Sequence, residues 1–280
     1  MELETVKNEF ASQLDGFARS LGEHITHNGD WTIRGFIDVF RNLYSISLDT
    51  KVLSKILELH IFPYFISFAE QNGYVIELAT HQNWYPDLTF IRVDNTEIKF
   101  AVDIKTTYFL DDYPGFCNGF TLGSHGEYFI NRDSFKNIQY PYDHYCGHYC
   151  LGIIYSRTAI SEISETRRYS LEELPEIPSV IKNFTFFAVE KWRIASDKRG
   201  SGNTANIGSI QNVEDIIAGN GVFAKAGEDI FDDYWANFGK MQVATKDGGR
   251  KPLSSFSEYV AYRGLSTDLI NPRAPRKRRT

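Results

Sequence analysis

Residues 85–107 read YPDLTFIRVDNTEIKFAVDIKTT, from Tyr85 to Thr107, and the reading of this stretch decides the architecture of the chain. Apolar and β-branched residues fill both halves, so the pattern predicts two strands, Leu88 to Val93 and Ile98 to Ile104. Asp94 and Asn95 between them are turn residues, because both tolerate left-handed backbone and hydrogen-bond locally. A three-residue hairpin loop sets position 93 opposite 97, and therefore 87 opposite 103. Alternate side chains share a face, which puts Asp87 beside Asp103 with Lys105 on the same side. Two carboxylates and an ammonium at a strand end are costly unless a cation joins them. Mg²⁺, a hard ion that takes oxygen ligands and few protein carboxylates, suits the place.

The remainder of the chain sets the bounds. Its 280 residues are enough to bury a substantial core, and 42% hydrophobic with 24% charged content reads as globular. No continuous apolar run approaches the length of a membrane span, and MELETVKNEF lacks an apolar signal core, so a cytoplasmic protein with no membrane partner is expected. Cys117, Cys146 and Cys150 are sparse and odd in number, which suits free thiols in a reducing compartment. The formal charge is −6, yet Arg273, Arg276, Lys277, Arg278 and Arg279 crowd the last eight residues. Net charge governs solubility and long-range field rather than a local cleft, so it does not exclude nucleic acid.

Taken in order, Leu3 to Gly22 has helical spacing with Gly22 as its stop. Trp31 to Ile46 reads as strands. Asp49 is an N-cap for a helix from Thr50 that Pro63 should kink and Asn72-Gly73 should close. Glu58 sits inside that helix among Ile56, Leu57, Leu59 and Ile61. It either snorkels to water or joins the Asp87–Asp103 site. Tyr74 to Leu78 reads as a strand and Ala79 to Tyr85 as a polar loop. Asp111 to Gly126 reads as loop with some strand at Phe120 to Leu122. Phe129 to Tyr149 is ambiguous, His148 to Arg157 and Phe184 to Trp192 are strands, and Ser161 to Pro178 is a surface connection. Asp197 to Ser209 is a Gly/Ser/Asn loop, and Asp229 to Lys240 and Ser254 to Tyr262 are helices. The expected fold is α/β (α+β), a mixed central sheet flanked by helices in one domain spanning 1–280, with no linker.

By spacing alone, Pro86-Asp87 and Asp103-Ile104-Lys105 read first as a solvated charged face with a chance lysine. Three features favour a site: the paired register, the nearby acid Glu58, and the apolar Phe100, Val102 and Ile104, which put the strand in a core. In Gly200 to Asn206, GSGNTAN, a mobile loop or anion nest is one reading. Major-groove readout is the other: glycines admit backbone N–H groups to guanine, Asn203 matches adenine, and the Thr204 methyl meets thymine. His81, Gln82 and Asn83 suit a minor-groove edge or a plain turn. His144, Cys146, His148 and Cys150 carry zinc donors, but one regular element rarely wraps a tetrahedral ion, so they read as local aromatic packing.

SLDTKVLSKILEL, QNWYPDLT, AVDIKTTY, FKNIQYPYDHY and GSGNTANIGSI, spread from Trp31 to Gly239, resemble the EcoRV family of type II restriction endonucleases within the PD-(D/E)xK nuclease superfamily. The resemblance implies a restriction-endonuclease-like core with metal-binding carboxylates at Asp87 and Asp103, an assisting Glu58 and a catalytic Lys105. It implies a major-groove loop within 197–209, with Gly200, Ser201, Gly202, Asn203, Thr204 and Asn206 as DNA-binding residues. A minor-groove loop within 79–85 would use Gln82 and Asn83, and backbone contacts fall on Thr50, Ser54, Thr106, Thr107, Lys136 and Arg157. Residues 31–46 align with a dimerisation hairpin, and 266–280 form an extra basic tail, either a source of sequence-blind DNA affinity or a solubilising end. The chain departs from the family at His81, where a glutamine is usual, which puts minor-groove contacts in question, and at Ala205, where a threonine is usual.

The implied protein is a homodimer that cleaves double-stranded DNA with Mg²⁺ at GATATC, centrally, leaving blunt ends with 5′-phosphates. A cognate DNA methyltransferase would be its functional partner. Two alternatives stand beside it: a repair or junction-resolving nuclease with the same core, and a non-cleaving sequence-specific DNA binder. The GSGNT loop argues against the first, and intact Asp87, Asp103 and Lys105 argue against the second.

Overall fold

The structure, a computed structural model, describes residues 3–81, 83–159, 166–200, 205–245 and 248–272. In chain order the elements are α1 (Leu3–Ile25), β1 (Thr26–His27), β2 (Asp30–Trp31), β3 (Gly35–Ile37), β4 (Leu43–Ser45), α2 (Thr50–Gln71) and β5 (Tyr74–Leu78). Then come β6 (Leu88–Arg92), β7 (Lys99–Tyr108), β8 (Thr121–Ser124), α3 (Glu127–Ile130), β9 (Gly147–Arg157), β10 (Arg168–Tyr169) and β11 (Ile181–Glu190). The last are α4 (Lys191–Ile194), β12 (Ala195–Arg199), β13 (Asn206–Ser209), α5 (Val213–Ile217), α6 (Glu228–Asn237), β14 (Gln242–Ala244), β15 (Arg250–Pro252) and α7 (Phe256–Arg263).

The central sheet has the order β1-β2-β11-β9-β7-β6-β5, and it is mixed, because β7 and β9 run parallel while the other pairs are antiparallel. One face packs on α1 and α2 through Phe10, Leu57, Phe65, Phe90, Phe100 and Val102. The opposite face packs on the β8, β12 and β13 sheet and the later helices through Ala101, Cys150, Ile207, Phe223 and Trp235. Strand β7 is buried on both sides, so period-two alternation assigns its residues between two cores. Phe100, Val102 and Ile104 go to the α1–α2 side. Asp103 and Lys105 go with Ala101 to the other.

The expected hairpin is present in the expected register. Leu88 pairs with Val102 and Phe90 with Phe100, which carries 87 opposite 103. The Arg92 N–H donates to the Ile98 carbonyl at 3.0 Å and closes the loop. Strand β7 outruns its expected end at Ile104 and continues to Tyr108, because Thr106 to Tyr108 pair with Ile153 to Tyr155 of β9. The acidic cluster therefore lies mid-strand on β7.

Helix α1 does not stop at Gly22. It continues to the buried Ile25, and Gly22 keeps helical backbone against the Phe186 ring, since burying one more apolar turn outweighs the entropy that glycine loses. Helix α2 starts where expected, with the Asp49 carboxylate accepting from the Lys51 and Val52 N–H groups, and it runs unbroken through Pro63 to the Asn72 cap. Among the described residues α2 is also long and apolar enough to cross a membrane, which a search for continuous apolar runs misses. Its inward residues Leu53, Leu57, Ile61 and Phe65 lie in the core.

Other boundaries moved for long-range reasons. The strand expected at Phe120 to Leu122 is β8 at Thr121–Ser124, set by pairing to β13. The ambiguous 129–149 stretch resolves into the end of α3, a 3₁₀ turn at Tyr142–His144 and the start of β9. The Ser161 to Pro178 connection contains β10, which pairs with β4 and buries Tyr169 against Leu43 and Ile177. The stretch expected as loop from Asp197 to Ser209 is loop only in its middle: Asp197 to Arg199 belong to β12 and Asn206–Ser209 is β13, paired with it, and the Gly200 N–H donates to the Asn206 carbonyl at 2.9 Å at the neck.

Candidate active site

The site is built where β6 begins and β7 passes beside it. Asp87 precedes β6, and its Oδ2 accepts from the Ile104 N–H at 2.8 Å, while Asp103 Oδ1 accepts from the Asp87 N–H at 3.2 Å. This reciprocal tie is what the 87–103 register produces once both side chains turn back on the partner backbone. Lys105 Nζ lies 3.1 Å from Asp103 Oδ2 and 3.3 Å from Asp87 Oδ2, bridging the two acids. Burial raises the Asp87 carboxyl above its ordinary value; Lys105 opposes that and Asp103 adds to it. Burial pulls the Lys105 ammonium down, but Asp103 and Asp87 outweigh it and raise it, so Lys105 is a firm cation here.

A cavity of about 360 Å³ opens on these groups and is lined by Thr50, Ser54, Glu58, Asp87, Lys105, Thr106 and Thr107. The structure thus brings Glu58 and four of the residues matched to backbone contacts to one wall. Glu58 Oε1 is 2.6 Å from Lys55 Nζ, and the Glu58 charge contributes to raising Asp87. Among the described residues no group of three His, Cys, Asp or Glu side chains comes close enough to hold a metal, so Glu58 stands at the cavity wall apart from the aspartate pair. On the other side, a cavity of about 430 Å³ joins Asp87, Asp103 and Lys105 to Asn83, Glu127, Tyr128 and Asn206. Lys136 is tied to that cavity through Glu127, 2.6 Å from its Nζ, and Arg157 stacks over Tyr108, at the end of the Thr106–Thr107 wall, at 3.8 Å.

Gly200 lines a third cavity of about 540 Å³ with Asn118, Gly119, Thr121, Lys198 and Gln211. Asn118 to Thr121 border both this cavity and the one at Lys105, so one wall separates the foot of the 200–206 loop from the cavity at Asp87 and Lys105. Gln82, Ser201, Gly202, Asn203 and Thr204 lie outside the described residues. Reading the sequence missed the Asn118–Thr121 wall. Its Asn-Gly pair signals only a turn, and its place beside Lys105 comes from β8 pairing with β13 far along the chain. Tyr128 was missed too; it is buried, stacks on Tyr85 at 5.5 Å and faces the acids.

Of the four residues read as aromatic packing, His148 is the one the structure sets among rings, while His144 is exposed. His148 stacks on Tyr142 at 3.7 Å and its Nδ1 meets the Tyr85 hydroxyl at 2.8 Å. Burial holds the imidazole well below its usual value, hence neutral. Cys150 sits beside Asp103 in the β7–β9 register, and burial pushes its thiol up to about 12, so it carries no charge into the site.

The donor set fits a hard divalent cation. Two carboxylates from adjoining strands face one cavity, and Mg²⁺ uses one or two protein carboxylates and completes its shell with water and phosphate oxygens. Among the described residues, Lys105 is the cation in ion-pair contact with both carboxylates.

A mixed sheet flanked by helices, with this Asp–Asp–Lys cluster in a groove, is the restriction-endonuclease class of fold. The chain belongs to the EcoRV family of restriction endonucleases: the family model described as "Restriction endonuclease EcoRV" matches residues 27–264. It is similar to the type II restriction enzyme EcoRV of Escherichia coli, with 38% identity over 238 residues, covering 85% of this chain and 94% of that protein. The chain is accordingly a type II restriction endonuclease, a phosphodiester hydrolase acting on double-stranded DNA.

Proposed function

We propose that this enzyme is a Mg²⁺-dependent homodimer that cuts GATATC between its central T and A, leaving blunt ends with 5′-phosphates. The observation that carries this reading is Lys105 bridging Asp87 and Asp103 at 3.3 and 3.1 Å on a cavity walled by Thr50 and Ser54. Asp87 and Asp103 hold the cation, which when bound supplies Lewis-acid polarisation of the phosphate and a more acidic water. Thr50, Ser54, Thr106 and Thr107 offer hydroxyls and backbone N–H groups that orient the strand's phosphates. Lys105, held by two carboxylates, presents N–H donors to the attacking water and to the charge that gathers on the phosphoryl oxygens. Glu58 adds negative charge at the cavity wall and assists with a second or migrating cation.

Sequence choice is assigned to Gly200, Ser201, Gly202, Asn203, Thr204 and Asn206 in the major groove. Gln82 and Asn83 are assigned to the minor groove, and Lys136 and Arg157 to the backbone. The central TA step unstacks easily, so bending contributes to the choice. Support for the homodimer comes from the β3–β4 hairpin. Phe36, Ile37, Val39 and Phe40 are 59%, 53%, 91% and 82% exposed at its tip, an apolar surface that needs a cover. Asp38 pre-organises that tip, accepting from the Phe40 and Asn42 N–H groups and from the Tyr44 hydroxyl, all at 2.9 Å. On α2, Val52, Leu59 and Ile66 recur seven apart and are exposed as well, a second strip suited to a partner copy. One restriction-endonuclease domain over 1–280, a cytoplasmic setting and a cognate methyltransferase that protects host GATATC sites complete the reading.

Digestion of plasmid DNA with and without Mg²⁺ tests it. Discrete blunt fragments mapping to GATATC are expected. Discrete fragments mapping elsewhere would refute the assigned bases, structure-dependent nicks would favour a junction-type nuclease, and binding without cleavage would refute the assigned chemistry.

A further inference from the structure

Behind the acids lies a lysine that the mechanism above does not use. Lys191 opens α4 directly after β11, is 3% exposed, and its Nζ has no hydrogen-bond partner among the described residues. Its ammonium instead lies 4.9 Å from the ring centre of Tyr85, 5.0 Å from Tyr142 and 5.9 Å from Phe129. Tyr85 stands two residues before Asp87, so this cation is lodged beneath the turn that presents the first acid. Burial of an unpaired ammonium is expensive, and aromatic faces return only part of that cost. A core position of this shape is ordinarily filled by methionine or leucine, so the charge calls for an explanation other than packing.

The surrounding charges supply one. Burial pulls Lys191 down to about 8, while Asp103 and Asp232 support its charged form; Arg132 opposes it, and Glu228 supports it too. Asp232 is already engaged by Arg132 at 2.8 Å. Asp103 is likewise held by Lys105, but the fold brings it near Lys191: Cys150 of β9 pairs with Asp103 on one side and with Val189, two residues before Lys191, on the other, so by reciprocity Lys191 acts on Asp103. Two carboxylates, Asp87 and Asp103, then face two ammonium groups, Lys105 in contact and Lys191 behind. The cluster is close to neutral in the DNA-free protein, although it faces a groove that must receive a divalent cation.

We propose that Lys191 is a positioning residue whose buried positive charge lowers the affinity of the Asp87–Asp103 pair for a divalent cation in the DNA-free enzyme. The arriving phosphate then restores the negative charge that the cation needs, so cation and DNA load together. The inference rests on the metal reading proposed above and concerns this chain's own charge balance.

The test is Mn²⁺ binding to the DNA-free protein, followed by electron paramagnetic resonance, with Asp103→Ala defining the site. Lys191→Met keeps volume and sulfur–aromatic contact while removing the charge, and should tighten Asp103-dependent Mn²⁺ binding by about threefold or more. Lys191→Arg keeps the charge and should stay within about twofold of the parent. A packing role predicts the opposite, equal or weaker binding in the Met variant. Unchanged or weakened Mn²⁺ binding in a folded Lys191→Met overturns the inference while leaving the metal site intact. Mn²⁺ binding that ignores Asp103→Ala overturns the metal reading itself. If Lys191→Met and Lys191→Gln both lose the native thermal transition while Lys191→Arg keeps it, the charge serves folding and the inference is likewise overturned.

Discussion

Asp103→Asn separates the chemistry of the site from the stability of the fold. The variant keeps an Oδ1 acceptor for the Asp87 N–H, now at 3.2 Å, and removes the negative charge 3.1 Å from Lys105 Nζ. On the proposed reading this removes one of the two carboxylates that would hold the cation, and it removes the foremost of the charges that fix Lys105. Loss of one preorganised electrostatic group costs about a hundred- to a thousandfold in rate, roughly 3–4 kcal/mol, and a lost ligand adds to that. For stability two effects oppose each other. Lys105 loses a partner, but Asp87, raised in part by Asp103, is relieved of a like charge. The Asp103 side chain is only 8% exposed, so solvent screens its pair with Lys105 little, but Lys105 keeps Asp87 at 3.3 Å and the two effects offset, so the net change should stay within about 1–2 kcal/mol. That corresponds to only a few degrees in melting temperature. The assays are plasmid cleavage at saturating Mg²⁺, thermal melting, and a gel shift on the GATATC duplex in Ca²⁺. Cleavage within tenfold of the parent would falsify the assignment of Asp103, and a fall of more than about 10 °C in the melt would mean that Asp103 chiefly anchors the sheet.

Three further expectations address other parts of the molecule. If the proposed homodimer forms through this hairpin, Phe40→Asp, at an 82% exposed position, should leave the melt of the protomer unchanged but halve the mass seen by sedimentation and abolish concerted double-strand cutting; an unchanged dimer would remove the hairpin from the interface. Gly208→Ala places a Cβ 2.8 Å from the Lys198 carbonyl oxygen, so it should cost about 1–3 kcal/mol and splay the β12–β13 frame on which the proposed base-reading loop stands. Discrimination between GATATC and single-base variants should fall, with Asp103-dependent Mn²⁺ binding retained; intact discrimination would contradict this. His125 is buried between Trp235 and Phe238, its backbone N–H donates to the Ala205 carbonyl, and burial, with Arg199 and Lys240, lowers its imidazole from 6.5 to about 4. The unfolded chain binds a proton below 6.5 that the folded chain refuses, so stability falls as pH drops from 6.5 toward about 4 and levels below that. His125→Phe should be less acid-sensitive over that window by urea denaturation, and parallel curves for the two proteins would sink the argument.

What could be read from the sequence was whatever a two-residue period and a short loop determine. The 87–103 register followed from Asp94-Asn95 and the apolar alternation of Phe90, Phe100 and Val102, because slipping it by one residue would turn every core side chain outward. The Asp49 cap and the Asn72-Gly73 stop were legible for the same local reason. The longer α1 was not, since Gly22 looks like a terminator until Phe186, more than a hundred residues away, is seen to cover it.

The same division runs through the site. Asp87, Asp103 and Lys105 share one hairpin, so their mutual distances are settled by local geometry. The groove around them is not: Asn118 and Gly119 reach it through β8, Glu58 through α2, and Gly200 through the β12–β13 neck, each by a separate long-range pairing. Lys191 is the extreme case. In FTFFAVEKW it reads as part of a strand, whereas the strand ends at Glu190, and the convergence of Tyr85, Phe129 and Tyr142 from other segments makes Lys191 a buried charge at the start of α4. A cation so placed can act on Asp103 only through space. Its influence is therefore strongest while the groove is free of DNA and weakens once phosphates bring their own charge into it.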